Sequence, residues 1–299
     1  MNKRLVSIGI PTYGRKKCIC SSIIDLLEDD LLETLGINVL VIDNNSEDGT
    51  YQAIRHILNS YKSTNIRCMK NARNIGVYPS IYRLFKECRS EYLLITSDED
   101  FVVKSSLPRL IKFLETIRPT FVSTQVIRAG NLYRGSLTTR RLDVAEWESS
   151  SFYISGLIYH VETILEIWKD VGELFFSPYL FYVQSLLVAE LMVLCPKSQY
   201  FVDFAVTEKR FELNTAIGTS KGGDYNTIGS RWEQCKAIDE YFLKRQISLH
   251  KNIDVSLYNA FRRTNISTLF QLFVNCIRAE RPEYLSDFIG GARSALNLG

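Results

Sequence analysis

Between residues 6 and 127, short runs dense in apolar residues alternate with segments of helical periodicity, and this alternation constrains the fold more than any other feature. The runs 6–10, 37–42, 66–69, 92–95 and 121–127 are rich in Val, Ile and Leu. Between them, 16–32, 49–61, 79–88 and 108–117 carry apolar residues at helical spacing, and Pro79 suits the first turn of its helix. A strand that is apolar on both faces must be covered on both. A helix between successive strands supplies that cover and makes the pairing parallel. The expectation is an α/β fold with a mostly parallel sheet flanked by helices. Ligands of such sheets lie beyond the C-terminal ends of the strands.

After Arg128 the pattern changes. Residues 130–150 are polar and basic and read as a loop, 152–159 as a strand, and 161–170 and 185–194 as helices. Residues 214–229 hold four glycines among Ser and Thr, and from 231 onward the periodicity is helical. This suggests three parts: a ligand-binding subdomain at 1–128, a second subdomain with a glycine-rich loop at 129–230, and a helical C-terminal region at 231–299. Lys plus Arg number 36 against 33 Asp plus Glu, a net +3 that argues against nucleic acid as a partner. The seven cysteines form no CxxC pair, so free thiols in a reducing compartment are expected. Leu5 to Ile10 is too short for a signal-peptide core, and no apolar stretch approaches the roughly 20 residues that span a bilayer. A cytoplasmic protein is expected, touching a membrane at most peripherally.

Three polar clusters fall where strands should end. They are Pro11-Thr12-Tyr13-Gly14-Arg15, then Asp43-Asn44-Asn45-Ser46-Glu47-Asp48-Gly49-Thr50, then Ser97-Asp98-Glu99-Asp100. Singly, each is explained by turn and helix-cap chemistry. Together they converge on one crevice. Asp43 is suited to accept from a base N–H. The acids at 98–100 offer hard oxygens to Mg²⁺ or Mn²⁺, which bridges phosphate oxygens, and without a cation their mutual repulsion is costly.

These stretches, with Asn71-Ala72-Arg73-Asn74-Ile75-Gly76-Val77, resemble family 2 glycosyltransferases of the GT-A fold, whose sheet is Rossmann-like. The enzymes of bacterial O-antigen and capsule assembly are the nearest in kind. A looser echo occurs at Ile154-Ser155-Gly156-Leu157-Ile158-Tyr159. The resemblance implies an inverting, metal-assisted transfer from a nucleotide-sugar donor, a UDP-sugar first, to a glycan or lipid-linked glycan. It places Pro11, Thr12, Tyr13 and Arg15 around the nucleoside, Asp43 on the base with Asn45 beside it, and Asn74 near the nucleotide. Asp98, Glu99 and Asp100 look like the family's acidic metal motif, with Asp100 as first ligand, Glu99 next and Asp98 on the nucleotide side.

An inverting transfer needs a general base for the acceptor hydroxyl. The acidic pair that many members carry before an apolar helix is absent, and Tyr182 and Gln184 stand in its place. Glu173 is the nearest carboxylate, ahead of Glu146, Glu148, Glu190 and Asp203. His56 and His160 read as structural. The glycine-rich segment is either a surface loop or a lid that brings Arg210, Lys221 and Arg231 to a diphosphate. Residues 255–298 either pack on the enzyme or lie on an anionic membrane surface. A sugar nucleotidyltransferase and a non-catalytic sugar-nucleotide or glycan binder are the competing readings.

Overall fold

The computed structural model describes residues 4–172, 183–210, 228–248, 257 and 259–263. They fall into two compact units. The larger takes in residues 4–142, 150–170 and 195–210. The smaller takes in 143–149, 171–172, 183–194 and the described residues from 228 onward.

The first half of the larger unit alternates as the pattern requires. β1 (Val6–Thr12), β2 (Asn38–Asp43), β3 (Ile66–Lys70) and β4 (Tyr92–Ile95) are separated by α1 (Lys16–Leu27), α2 (Leu31–Thr34), α3 (Thr50–Ser60) and α4 (Val77–Glu87). β5 (Asp100–Val102) and α5 (Leu107–Ile117) lead into β6 (Phe121–Arg128), the hairpin partner β7 (Asn131–Arg134) and the short β8 (Arg140–Arg141). β9 (Leu157–His160), α6 (Val161–Val171), α7 (Val183–Leu194), β10 (Gln199–Lys209) and α8 (Ile228–Ser248) follow. The sheet runs β3-β2-β1-β4-β9-β6-β10-β5, with β7 on β6 and β8 on β10. β3, β2, β1 and β4 are mutually parallel, and β10 is parallel to β6. β9 is antiparallel to both β4 and β6, and β5 to β10.

The inner parallel strands β1, β2 and β4 are buried on both faces, as their apolar-rich runs demand, while β3 exposes Arg67. Val6, Ile8 and Ile10 of β1 and Val39 and Val41 of β2 pack with Ile19, Ile23 and Leu26 of α1 and Ile54 of α3. Each such side chain contributes about 1.5–3 kcal/mol on burial. On the other face Gly9 lets α4 approach, because a Cβ there would stand 3.0 Å from Leu93 and 3.2 Å from Leu84. His160 closes the end of β9, where its Nδ1 lies 2.7 Å from the Thr163 hydroxyl in the first turn of α6. The six described cysteines are free thiols.

Several sequence expectations are corrected. The single helix expected over 16–32 breaks after Leu27, because Asp29 Oδ1 accepts from Leu31 N at 3.0 Å and starts α2 afresh. Residues 130–150, expected as a loop, contain β7, β8 and a 3-10 turn, Val144–Glu146. That turn is capped when Asp143 accepts from Ala145 N and Glu146 accepts from Asp143 N. The strand expected over 152–159 begins only at Leu157. β10 had no counterpart in the sequence reading. Its charged residues Asp203, Glu208 and Lys209 interrupt the apolar run that would have marked it.

In the smaller unit, α7 is buried all round from Val183 to Met192, including Gln184, Ser185 and Glu190. A buried carboxylate requires a counter-charge. Arg245 supplies it, donating from Nε at 3.1 Å and Nη2 at 3.0 Å, and Tyr241 donates its hydroxyl at 2.9 Å. Trp147 meets Phe242 and Phe261 edge-on at 5.6 and 5.7 Å between ring centroids. Among the described residues, no helix is long and apolar enough to cross a membrane.

Candidate active site

The ends of β1, β2 and β4 meet on one side of the sheet, and short polar contacts join them. β1 and β2 end in register, Thr12 beside Asp43. Asn44 N donates to Thr12 O at 2.9 Å. In the turn after β1, Gly14 N donates to Ser46 Oγ at 2.9 Å and Lys16 N to Asp48 Oδ2 at 3.2 Å. The first and second polar clusters are therefore laced together. Tyr13, between them, is 37% exposed, so its ring is open to solvent.

Asp43 is fully buried and turned into its own loop, accepting from Ser46 N at 3.2 Å and from the Ser46 hydroxyl. Asn45 takes a positive φ of 63°, which lets that turn close. Asn74 accepts from Asn44 Nδ2 at 2.7 Å and from Gly76 N at 3.0 Å. Asn44 Oδ1 in turn accepts from Asn71 Nδ2 at 2.8 Å and Ile75 N at 3.0 Å. Asn44 is the hub of this amide network, and the sequence reading passed over it for its neighbours. The signal was available: Asn44 is the first residue past β2, where a buried amide can reach the next strand's loop.

The third cluster closes the rim. Asp98, 3% exposed, accepts from the Thr12 hydroxyl at 2.6 Å and from Arg15 Nη1 at 3.0 Å. Asp43 and Asp98 thus flank the same residue, Thr12, one by strand register and one by hydrogen bond. Arg15 Nη1 also lies 3.5 Å from Glu99, and Lys209 Nζ reaches that carboxylate at 3.9 Å. Burial raises the Asp98 carboxyl pKa, and Arg15 and Thr12 pull against it. Burial pushes Arg15 down, but Asp98 and Glu99 more than reverse this and leave it above its ordinary value.

Asp100 differs. It is fully buried and forms no ion pair with any described Lys or Arg. Its oxygens accept instead from the Tyr153 hydroxyl, at 2.8 and 3.0 Å, and from the Ser155 hydroxyl. Burial pushes its carboxyl up to about 6; the two hydroxyls oppose this, Glu99 adds to it and Lys209 works weakly against it. Tyr153 and Ser155 belong to the segment expected as a strand, and their side chains are spent on Asp100. Ser155 lay inside the Ile-Ser-Gly echo of the family, but Tyr153 carried no signal. Gly156 follows at φ +77°, and a Cβ there would stand 2.4 Å from Thr124 Oγ1, so only glycine fits.

The donor set suits a hard divalent cation. A buried carboxylate that no described Lys or Arg pairs directly is where a cation is favoured, and carboxylate oxygens are what Mg²⁺ and Mn²⁺ take. Among the described residues no three His, Cys, Asp or Glu side chains converge on one point. A cation here would be held by one or two carboxylates together with phosphate oxygens, a common arrangement for Mg²⁺.

The remaining candidates lie elsewhere. Glu173, Tyr182 and Lys221 fall outside the described residues, as does the Arg231 side chain. Arg210 lies over the Phe101 ring at 4.3 Å and pairs with Glu208 at 3.1 Å. Glu190 is consumed by Arg245, and Glu146 by its capping box. Asp203 accepts from Thr139 and Arg109, which hold it below the usual carboxylate range.

Three comparisons bear on this arrangement. Residues 7–159, just over half of the chain, match the family model "Glycosyl transferase family 2". Among solved structures, TarS 1–349 from S. aureus superposes with a TM-score of 0.66 at 14% identity, over 96% of this chain and 78% of that one. Its complex with UDP-GlcNAc gives 0.66 at 15% identity, over 96% and 79%. The mannosyltransferase PcManGT from Pyrobaculum calidifontis, in complex with GDP-Man and Mn²⁺, gives 0.58 at 15% identity, over 99% and 81%. No curated protein sequence matches the chain.

Proposed function

The chain belongs to glycosyl transferase family 2, and from that premise we propose an inverting, metal-assisted transfer of a sugar from a nucleoside-diphosphate donor to a hydroxyl of a glycan or lipid-linked glycan. That the protein is a glycosyltransferase of the GT-A fold follows from the family and the structural likeness. The finer reading rests on Asp100, a buried carboxylate that forms no ion pair with a described residue, two residues beyond the rim that Thr12 and Asp98 close.

In this reading the nucleoside lies along the ends of β1 and β2. Tyr13 offers its exposed ring to the base. Pro11 and Thr12 set the floor, and the Asp43 turn with Asn45 and Asn74 shapes the wall. Arg15 holds Asp98 in place on the nucleotide side. Asp100 is the first ligand of Mn²⁺ or Mg²⁺, and Glu99 the second. When bound, the cation neutralises the diphosphate and so eases its departure. Glu173 is the proposed base that takes the proton from the acceptor hydroxyl. The donor is taken as a UDP-sugar first, although the similar solved structures carry both uridine and guanosine nucleotides. A lipid-linked acceptor would place a cytoplasmic enzyme peripherally on the membrane's inner face.

Thermal shift with UDP, GDP and their sugar esters, with and without Mn²⁺, tests the reading. Stabilisation by one nucleotide that requires Mn²⁺ and disappears in Asp100→Ala is expected. Undiminished stabilisation in that variant would remove Asp100 from the metal site. Glu173→Gln should stop turnover while leaving that stabilisation in place.

A further inference from the structure

We propose that Tyr153 and Ser155 are positioning residues that turn one oxygen of Asp100, Oδ1, toward the cation. This deepens the reading above and rests on Asp100 as a metal ligand. Ser97 N donates to Ser155 Oγ at 2.8 Å. A hydroxyl that accepts from a fixed N–H has its own hydrogen directed elsewhere, and here that hydrogen goes to Asp100 Oδ2. The Tyr153 hydroxyl oxygen stands 2.8 Å from Oδ2 and 3.0 Å from Oδ1, so its single hydrogen is shared between the two. Oδ2 therefore accepts from both hydroxyls, whereas Oδ1 only shares the Tyr153 hydrogen, which makes Oδ1 the freer oxygen for a hard cation. The chain Ser97 N–H to Ser155 to Asp100 also polarises along its length, which strengthens its last bond.

The turn that carries both hydroxyls is fixed independently of Asp100. Arg134, 4% exposed, donates from Nη1 to Tyr153 O, and from Nη2 to Ser155 O at 2.8 Å and Thr124 O at 3.1 Å. A guanidinium buried against main-chain carbonyls holds the backbone on either side of Ile154. Gly156 allows the chain to leave the turn past Thr124. The carboxylate is thus aimed before any ligand arrives. Partners of this kind behind a metal ligand typically change metal affinity by about 10–100-fold when removed.

The test is Mn²⁺ affinity, read from the free-ion electron paramagnetic resonance signal. It is measured with UDP or GDP present, whichever raises Tm. Tyr153→Phe and Ser155→Ala should each weaken Mn²⁺ binding by about tenfold or more. Nucleotide affinity measured without metal should stay unchanged. Wild-type Mn²⁺ affinity in both variants, with that of Asp100→Ala lost, overturns the positioning role and spares the metal site. Wild-type affinity in Asp100→Ala itself overturns the metal site, and the positioning role with it. A parallel fall in metal-free nucleotide affinity marks general loosening and also overturns the proposal. If Ser155→Ala fails to fold, Tyr153→Phe decides the matter, since it removes one oxygen from a half-buried ring.

Discussion

Asp98 and Asp100 stand two positions apart and are both buried, yet their surroundings are opposite. On the side of β1 and β4, Asp98 is neutralised by Arg15 and tied to Thr12. On the side of β5 and β9, the Asp100 carboxylate is hydrogen-bonded to hydroxyls, and Lys209 acts on it only through space. A charge compensated by the protein keeps its geometry with or without a ligand. A charge held mainly by hydroxyl dipoles has room for a counter-ion, and the fold carries much of its desolvation cost without one. In the proposed reading, the difference separates a frame from a binding position within a single Asp-Glu-Asp sequence.

The severest way to break this comparison is to remove Asp100. Asp100→Ala should lower turnover by about 10³-fold, or roughly 4 kcal/mol of transition-state stabilisation. The metal-free protein should remain as stable as before or gain slightly. Steady-state rates and a urea titration check both halves. Loss of stability together with loss of rate would put Asp100 in the frame, beside Asp98.

A second test uses pH. The Asp100 carboxyl is pushed from 3.8 in the unfolded reference up to about 6 in the fold. Between those values the folded protein holds a proton that the unfolded chain has released. Metal-free stability therefore falls as pH rises through the window. The loss, up to about 3 kcal/mol at about 1.4 kcal/mol per unit, persists above it. Asp98 is raised by burial as well, so wild type must be compared with Asp100→Asn at each pH. The variant's advantage should grow from pH 4 to pH 6 and then level. Parallel stability curves would mean that Asp100 is not an uncompensated charge.

The closed side can be opened by Arg15→Met, which keeps the apolar stem and removes the guanidinium. Asp98 is then buried with Thr12 as its main partner. Breaking a buried pair costs about 3–5 kcal/mol, but the Arg15 side chain is 25% exposed, so a loss of about 2 kcal/mol is expected. Urea unfolding of Arg15→Met and of the double variant with Asp98→Asn reads this out, with the second substitution restoring part of the loss. An Arg15→Met protein as stable as wild type would show that solvent, and not Arg15, compensates Asp98.

The halves of the site were unequally legible in the sequence, for the same reason that they differ in charge. The proposed nucleotide side is built from consecutive residues at the ends of β1, β2 and β4, where apolar-rich runs announce the strands and the polar clusters follow at once. Asp100 was visible for that reason. Its partners Tyr153 and Ser155 were not, because they arrive from more than 50 positions away, on a segment whose aromatic and β-branched residues resemble a strand. β10, which brings Lys209 to Glu99, was equally hidden by its charges. Local pattern reveals what a strand end contributes, whereas a side chain delivered by a long connection depends on tertiary packing.

The mildest perturbation falls on Ser46 and tests whether the frame is only a frame. Its hydroxyl donates to Asp43 and accepts from Gly14 N, so it joins the β2 turn to the β1 turn. Ser46→Ala removes both bonds, but Asp43 still accepts from Ser46 N. One net hydrogen bond and a partly unsatisfied acceptor together amount to about 1–2 kcal/mol of stability. Because the turn lines the proposed nucleoside wall, nucleotide affinity should weaken by less than about tenfold, equally with and without Mn²⁺. That equality matters most, since a frame residue acts on the nucleotide and leaves the cation alone. If Ser46→Ala weakened Mn²⁺ binding as much as Tyr153→Phe does, the two sides of the rim would be one cooperative unit, and the contrast between Asp98 and Asp100 would carry no functional meaning.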